Sequence, residues 1–328
     1  MLKVAITDYT FADLDLELAI LAPSAEVTSL KAKRSTSELA ELVHGADAVI
    51  TQFATINEEV IQAMNKARVI VRYGIGFDNV DIEAARRRGI PVCNIPDYCV
   101  DEVADHALAF ILATTRQVIP NTLHLRAQQW GLAVPVRSMQ ALKYLTVGII
   151  GFGRIGREVV QRLLAFKTRV LVFDPVVAEE EITKVGAVVA ASFEELLAQS
   201  DIVSPHCPST PKTKKMFNAA AFAKMKEGAI FINVSRGDLI ESNALIEALE
   251  SGKLGGVALD VFDPEPIPTD SLILQRPNVI LAAHVASVSP TAVKTLRETA
   301  ARIALKALHE EPLPNVVNGV TLRRSIVG

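Results

Sequence analysis

The sequence LTVGIIGFGRIGREVV occupies residues Leu145 to Val160. Its β-branched start, Leu145–Ile150, reads as a buried strand. The strand runs straight into Gly151-Phe152-Gly153-Arg154-Ile155-Gly156. Arg154–Phe166 then reads as a helix with Ile155, Val159, Leu163 and Phe166 on one face. A lone GxGxxG says little; a strand before, a helix after and an acid further on give it meaning. The first glycine permits a tight turn, the second lets a pyrophosphate approach the backbone, and the third lets helix and strand pack closely. Free N–H groups at the helix start face the anion. A second strand, Arg169–Phe173, ends in Asp174, eighteen residues after Gly156. A carboxylate there accepts hydrogen bonds from ribose hydroxyls and repels a 2′-phosphate. Pro175, not an arginine, follows it. The pattern reads as a dinucleotide site for NAD in preference to NADP.

Length and composition bound the rest. The chain has 328 residues, enough for roughly two domains, and half of them are apolar with few aromatics. Net charge is −3 and no long charged run appears, so neither nucleic acid nor a membrane is expected as a partner. Cys93, Cys99 and Cys207 form no CxxC pair and read as reduced thiols, with Cys99 or Cys207 near a site. The start, MLKVAITDYT, lacks the basic-then-apolar order of a signal peptide. No window has the apolar length of a membrane span, and no metal-ligand spacing such as HExxH occurs. A cytoplasmic α/β protein is expected.

Before the glycine loop, strands and helices alternate. Strands are expected at Lys3–Thr7, Glu26–Leu30, Asp47–Gln52, Arg68–Arg72 and Ile90–Cys93. Helices are expected at Asp13–Ala22, from a Ser35 or Ser37 cap through His44, after an Asn57 cap, and at Ile82–Arg88, stopped by Gly89. Such alternation predicts a parallel sheet with helices on both faces, a flavodoxin-like unit. Asp97–Gln117 reads as a long buried helix, broken by Pro120, with a second piece reaching Trp130-Gly131. Val134–Leu142 reads as irregular, and the domain crossing is expected near residue 100. After Asp174, strands are expected at Ala187–Ala190, Asp201–Ser204, Ala229–Val234, Gly256–Leu259 and Asn278–Ala282. Helices fall at Phe193–Gln199, with a Ser192/Glu195 capping box, at Ala219–Met225 and at Glu241–Ser251. Ser289 and Pro290 form an N-cap and N1 pair that opens a long helix to about His309.

Gly151, Asp174, His206, Arg236, Asp260 and His284 each fall just past the C-terminal end of an expected strand. In an open parallel sheet these ends share one edge, and ligands bind in the crevice there. Arg236 offers a planar fork suited to a carboxylate or a polarised carbonyl. His284 changes charge near neutral pH and can exchange the proton of an alcohol/ketone pair. Glu265 can hold the other imidazole nitrogen. Taken alone, His284 is as readily a core histidine, and His206 competes with it as proton donor. Glu265, between two prolines, reads as a turn residue by itself. Asp260 needs a partner, either a nicotinamide carboxamide or a backbone N–H. His44, His106, His124 and His309 fall in helical patterns and read as structural or solvated.

Together these motifs resemble the D-isomer-specific 2-hydroxyacid dehydrogenases over essentially the whole chain. The resemblance rests on Gly151–Gly156 with Asp174, on NVSRGD at 233–238, on ALDVFDPEP at 258–266, and on His284. It implies an α/β fold of two parallel-sheet domains, Rossmann-like and flavodoxin-like, with the active-site cleft between them. Residues 1–99 and 290–328 would form a discontinuous substrate-binding domain, and residues 100–289 the NAD-binding domain. It implies Arg236, Glu265 and His284 as the catalytic residues, which favours His284 over His206. Cofactor contacts are implied for Gly151, Gly153, Arg154, Ile155, Gly156, Asp174, His206, Pro208, Thr213, Val234, Ser235, Arg236, Asp260 and His284. Substrate contacts are implied for Tyr73, Gly74, Ile75, Gly76, Arg236 and His284. Val71–Asn79 and Val92–Pro96 look like the phosphoglycerate-dehydrogenase and C-terminal-binding-protein branch. Two departures stand out: Ala282-Ala283 replaces the usual Thr-Pro before the histidine, and Ser209 replaces a bulky residue between Pro208 and Thr210. Both fall where substrate side chain or nicotinamide is expected. The implied activity is hydride transfer between NAD(H) and a D-2-hydroxy acid/2-oxo acid pair, in a homodimer joined through Asp101–Leu142. The alternative is an NAD(H)-sensing, corepressor-like binding protein.

Overall fold

The computed structural model describes residues 1–31 and 34–321. In chain order, the first elements are β1 (Leu2–Ile6), α1 (Asp15–Leu21), β2 (Ala25–Ser29), α2 (Thr36–Val43), β3 (Ala48–Thr51), α3 (Glu58–Ala63), β4 (Ile70–Arg72), α4 (Ile82–Arg87) and β5 (Val92–Cys93). Two helices follow, α5 (Val100–Thr115) and α6 (Val118–Arg126). The glycine loop lies between β6 (Thr146–Ile150) and α7 (Arg154–Ala165). Then come β7 (Arg169–Phe173), α8 (Glu179–Lys184), β8 (Val188–Val189), α9 (Phe193–Gln199), β9 (Ile202–Pro205), α10 (Ala219–Lys224) and β10 (Ala229–Asn233). The last elements are α11 (Ser242–Glu250), β11 (Leu254–Leu259), β12 (Val279–Leu281) and α12 (Pro290–Leu308). Two compact units result, Met1–Tyr98 with Ser289–Gly328, and Cys99–Val288.

The first unit carries a parallel sheet in the order β2-β1-β3-β4-β5. Because side chains alternate along a strand, each central strand feeds two cores. Val4, Ile6, Ile50 and Val71 join one core with Leu296, Ala300, Ala304 and Leu308 of α12. Ala5, Val49, Ile70 and Val92 join the other with Leu39, Val60, Ile61 and Ala84 of α2, α3 and α4. Apolar residues on both faces are what a covered parallel sheet requires. The alanines of α12 let that helix lie close, and Ser289 caps it by accepting the Ala292 N–H.

A buried ion pair fixes α12 in this unit. Arg297 meets both oxygens of fully buried Glu17 at 2.7–3.1 Å and reaches Asp13 at 2.8 Å. The Tyr73 hydroxyl donates to the same Glu17 at 3.0 Å. Phe11 lies edge-on to the Tyr73 ring and beneath the Arg297 guanidinium.

The second unit carries a seven-stranded sheet in the order β12-β11-β10-β9-β6-β7-β8, with every pair parallel. The order reverses at β6 and β9, the switch point where such sheets open a crevice. One face is packed by Leu171, Leu196, Val203, Val257 and Leu259, with Phe217, Phe222 and Phe231 in edge and tilted contact.

Several expectations need correction. Pro120 does not break the long helix. The chain turns at Gln117, whose φ is +53°, and Pro120 lies in the first turn of α6. A first-turn N–H has no helical acceptor, so proline costs nothing there. That helix ends at Arg126, short of Trp130. Phe166 leaves the buried face of α7 and is half-exposed at its C-cap. α8, an acid-led helix without a side-chain cap, is missing from the sequence reading. Ser192 caps α9 as expected, but Glu195 accepts the N–H of Ala191 instead of Ser192.

Arg297→Ala strips a buried carboxylate of its partner, so it is expected to cost about 3–5 kcal/mol of stability in urea unfolding. Arg302→Ala, which removes a solvent-exposed pair with Glu298, should change little. Equal losses would contradict this account of α12.

Candidate active site

The glycine loop shows three different constraints at its three glycines. Gly151 has φ +95°, and a Cβ there would stand 2.9 Å from the backbone of His206 and Cys207. Gly156 is pressed against the Gly151 carbonyl, so a Cβ would collide with it. Gly153 has ordinary φ and nothing within 4 Å of where a Cβ would be. That open approach lies at the start of α7, whose first N–H groups receive no side-chain cap. The combination fits a dinucleotide pyrophosphate. Asp174 faces the same loop. Its Oδ2 accepts the Phe152 N–H at 2.7 Å, and its Oδ1 accepts those of Val176 and Val177. The carboxylate thus ties the loop after β7 to the glycine loop. Oδ1 has both lone pairs engaged, and Oδ2 keeps one for a ribose hydroxyl.

The turn after β10 carries Arg236. Asn233 reaches forward, accepting the Ser235 N–H at 2.9 Å and donating to the Arg236 carbonyl at 2.7 Å. The Ser235 hydroxyl donates to the Cys207 carbonyl in the loop after β9, at 2.6 Å. Gly237 lies against the backbone of Phe262 so closely that any side chain would clash. Arg236 itself donates to the Ser235 carbonyl at 2.8 Å.

The loops after β11 and β12 carry the remaining groups. Glu265 Oε2 lies 2.8 Å from His284 Nδ1, and Glu265 Oε1 accepts the Phe262 N–H at 2.9 Å. Burial pushes the Glu265 carboxyl up. The hydrogen bond and charge of His284, the Phe262 N–H and the charge of Arg236 outweigh it, so the group is held below its ordinary value. Arg236, Glu265 and His284 are therefore brought together electrostatically. His284 has φ +55°, an uncommon backbone state for a residue with a side chain. Asp260 holds that loop in place. Its carbonyl accepts the His284 N–H at 2.7 Å, and its fully buried carboxylate accepts the N–H groups of Val285 and Ala286 at 2.8 and 2.9 Å. The backbone partner weighed for Asp260 is the one observed.

Other expected site residues separate by environment. Burial pushes His206 down to about 4, and its Nε2 meets the Ser204 hydroxyl at 3.0 Å. That shift disfavours the protonated ring and weighs against His206 as the proton donor. Burial pushes the thiols of Cys207 and Cys93 up to about 11 and about 12, which disfavours the thiolate at both. The Thr213 hydroxyl donates to the Pro208 carbonyl and shapes that loop. Val234 is buried behind the Arg236 turn, while Arg154 is exposed and Ile155 half-buried in the first turn of α7. In the first unit, the Tyr73 ring is buried on Glu17, so the ring cannot meet a ligand and only its backbone remains. Gly74 follows with φ +148°, beside the Arg72 guanidinium, which any Cβ would strike. Asn94 donates to the Ile75 carbonyl at 2.7 Å and holds the loop through Gly76. The sequence does not single out Asp8, and it reads His106 only as structural or solvated. Asp8 accepts the N–H groups of Gln52, Phe53 and Ala54. His106 on α5 lies 3.8 Å from Asp260. Neither has a local motif that would announce it. Among the described residues no cluster could hold a metal, and no helix is long and apolar enough to cross a membrane.

A parallel sheet with a glycine loop at its switch point, and an arginine and a carboxylate-paired histidine on the same edge, defines a nicotinamide-dependent oxidoreductase. The family model described as "D-isomer specific 2-hydroxyacid dehydrogenase, NAD binding domain" matches residues 108–286. A glyoxylate reductase of Korarchaeum cryptofilum is 36% identical, over 88% of this chain and 87% of its own. A D-3-phosphoglycerate dehydrogenase of Mycobacterium leprae is 36% identical over 92% of this chain, which spans 56% of that protein's length. The crystal structure of the Aquifex aeolicus D-lactate dehydrogenase complexed with NAD and lactic acid aligns with a TM-score of 0.84 at 28% identity, covering 94% of this chain and 96% of that one. The chain belongs to the D-isomer specific 2-hydroxyacid dehydrogenase family. It is an NAD-dependent oxidoreductase acting on the CH–OH group of a 2-hydroxy acid. These findings lend no support to the corepressor-like alternative.

Gly153→Ala and Gly156→Ala separate binding from folding. Gly153→Ala should leave the melting temperature unchanged while weakening NADH binding at least about tenfold, or about 1.4 kcal/mol. Gly156→Ala should lower the melting temperature. Calorimetry and fluorescence titration check both. Normal NADH affinity in Gly153→Ala would remove the pyrophosphate from this loop.

Proposed function

We propose that Arg236, Glu265 and His284 are the catalytic groups of this dehydrogenase. The observation that carries the reading is the 2.8 Å Glu265–His284 hydrogen bond, with the charge of Arg236 acting on the same carboxylate. Bound NAD carries the hydride to or from the substrate carbon. Arg236 grips the carboxylate and polarises the carbonyl of a 2-oxo acid with its planar fork. With Nδ1 engaged by Glu265, His284 exchanges a proton with the substrate oxygen through Nε2. Its protonated form serves reduction and its neutral form serves oxidation. Glu265 orients the ring and stabilises the imidazolium. Asp260 fixes the backbone that presents His284; its carboxylate, fully buried on the Val285 and Ala286 N–H groups, serves the cofactor through that loop. We assign the glycine loop, Asp174 and the Pro208, Thr213, Val234 and Ser235 loops to the cofactor. We assign the Gly74-Ile75-Gly76 backbone, in the unit that contains α12, to the substrate carboxylate. The substrate is a small 2-oxo or 2-hydroxy acid.

A homodimer is proposed on separate grounds. α6 has no buried residue, and Val118, Ile119, Leu123 and Leu125 on it are exposed, as are Trp130, Leu132, Val136 and Tyr144 after it. Apolar surface in this quantity marks an interaction site. Light scattering should give twice the chain mass, and Leu123→Glu with Leu125→Glu should halve it. A wild-type monomer at micromolar concentration would refute the proposal.

His284→Asn should retain NADH binding and cut turnover about 10²–10⁴-fold, the contribution of a positioned general acid. His206→Asn should keep most of its turnover. Glu265→Gln removes the charge that favours the imidazolium. For reduction, which needs the protonated ring, the upper limb of the pH–rate profile should then move to lower pH. Loss of turnover in His206→Asn with His284→Asn intact would overturn the acid/base assignment.

A further inference from the structure

The Asp260 carboxylate is fully buried, and its two oxygens accept one backbone N–H each. Oδ1 takes that of Val285 at 2.8 Å and Oδ2 that of Ala286 at 2.9 Å, both from the loop after β12. A buried charge is costly unless further donors or an opposite charge stand near it. From α5, which packs on β10 and β11, His106 brings Nε2 to 3.8 Å from Asp260 Oδ1. Among the described residues His106 is the one basic side chain that pairs with Asp260. An edge contact with Phe110, 4.4 Å between ring centroids, fixes the imidazole. Its Nε2 is buried and has no hydrogen-bond partner. An orphaned ring nitrogen therefore stands beside a carboxylate oxygen with a lone pair to spare. A proton on Nε2 makes this approach attractive, and a bare Nε2 makes it repulsive. Either effect is strong where water is excluded.

Building on the assignment of His284 as the acid/base, we propose that His106 is a positioning residue for it, acting through Asp260. His106 presents an Nε2–H to the Asp260 carboxylate and keeps that group charged and seated. The carboxylate then holds the Val285 and Ala286 N–H groups, and with them the left-handed backbone at His284. The contacts run from helix to carboxylate to loop, all within the second unit. They involve neither the glycine loop nor Asp174. His106 thus bears on turnover and leaves most of the cofactor affinity alone.

The test uses the full chain and whichever of glyoxylate, pyruvate and hydroxypyruvate turns over fastest. His106→Leu should lower kcat about tenfold, the worth of one hydrogen bond to a charged group, with the NADH Kd within about threefold. His106→Gln places an amide N–H at a similar reach and should restore most of kcat. Asp260→Asn removes the charge, so His106→Leu should cost no further kcat in that background. Nitrogen–proton correlation spectra of the histidine rings should show a proton on His106 Nε2, the signal being identified by its loss in His106→Gln. Several results would each overturn the proposal: an unaltered kcat in His106→Leu, a His106→Gln variant no better than His106→Leu, an NADH Kd that weakens in step with kcat, or a bare Nε2. So would an equal loss in the Asp260→Asn background, which packing alone would give. His284→Asn runs in parallel. If it kept its turnover, the acid/base assignment itself would fall. If it lost turnover while His106→Leu was inert, only the role of His106 would fall.

Discussion

The chemistry of the second unit depends on one constraint, the parallel register of its seven strands. Parallel pairing sends every strand out of the sheet at the same edge, with neighbours about 4.8 Å apart. Polar residues that follow those strands must therefore assemble along one line. From one side of the sheet to the other they are His284, Asp260, Arg236, His206, Gly151 and Asp174, after β12, β11, β10, β9, β6 and β7. The Glu265–His284 pair thus sits at one end of the line and Asp174 at the other. The glycine loop stands at the switch point with them.

Neighbouring loops on that edge are then cross-linked, so that flexible connections carry well-fixed groups. Asp174 ties the β7 loop to the β6 loop, and Ser235 ties the β10 loop to the β9 loop. Gly237 against Phe262 ties β10 to β11, and Glu265 and Asp260 tie β11 to β12. His284 is the most strained member, with its left-handed backbone. Histidine tolerates that region better than most residues do, and the three hydrogen bonds from its loop to Asp260 over-determine the conformation. Strain held in this way is common where a side chain must be aimed at a ligand.

How much of this was visible in the sequence follows from the range of each interaction. Strand and helix types were legible because apolar periodicity and caps such as Ser35, Asn57 and Ser289 are local signals. The edge residues were legible because each follows a strand directly. Glu265 follows no strand directly; alone it reads as a turn residue between two prolines, and its pairing with His284 is implied only by the family resemblance. The Arg297–Glu17–Tyr73 network joins residues from opposite ends of the chain, and no periodicity records it. Pro120 misled because a helix-breaking residue is also a good first-turn residue, and only the left-handed Gln117 tells the two apart. The approach of His106 to Asp260 depends on how α5 packs against the sheet, which one-dimensional spacing does not encode.

The central claim is that this edge transfers hydride to a 2-oxo acid with D stereochemistry. The most direct measurement follows NADH consumption with glyoxylate, pyruvate and hydroxypyruvate, then NAD reduction with each enantiomer of a chiral 2-hydroxy acid product. The account predicts turnover with at least one of the 2-oxo acids, and reverse turnover with the D enantiomer alone. No turnover across the panel, or preference for the L enantiomer, would contradict it.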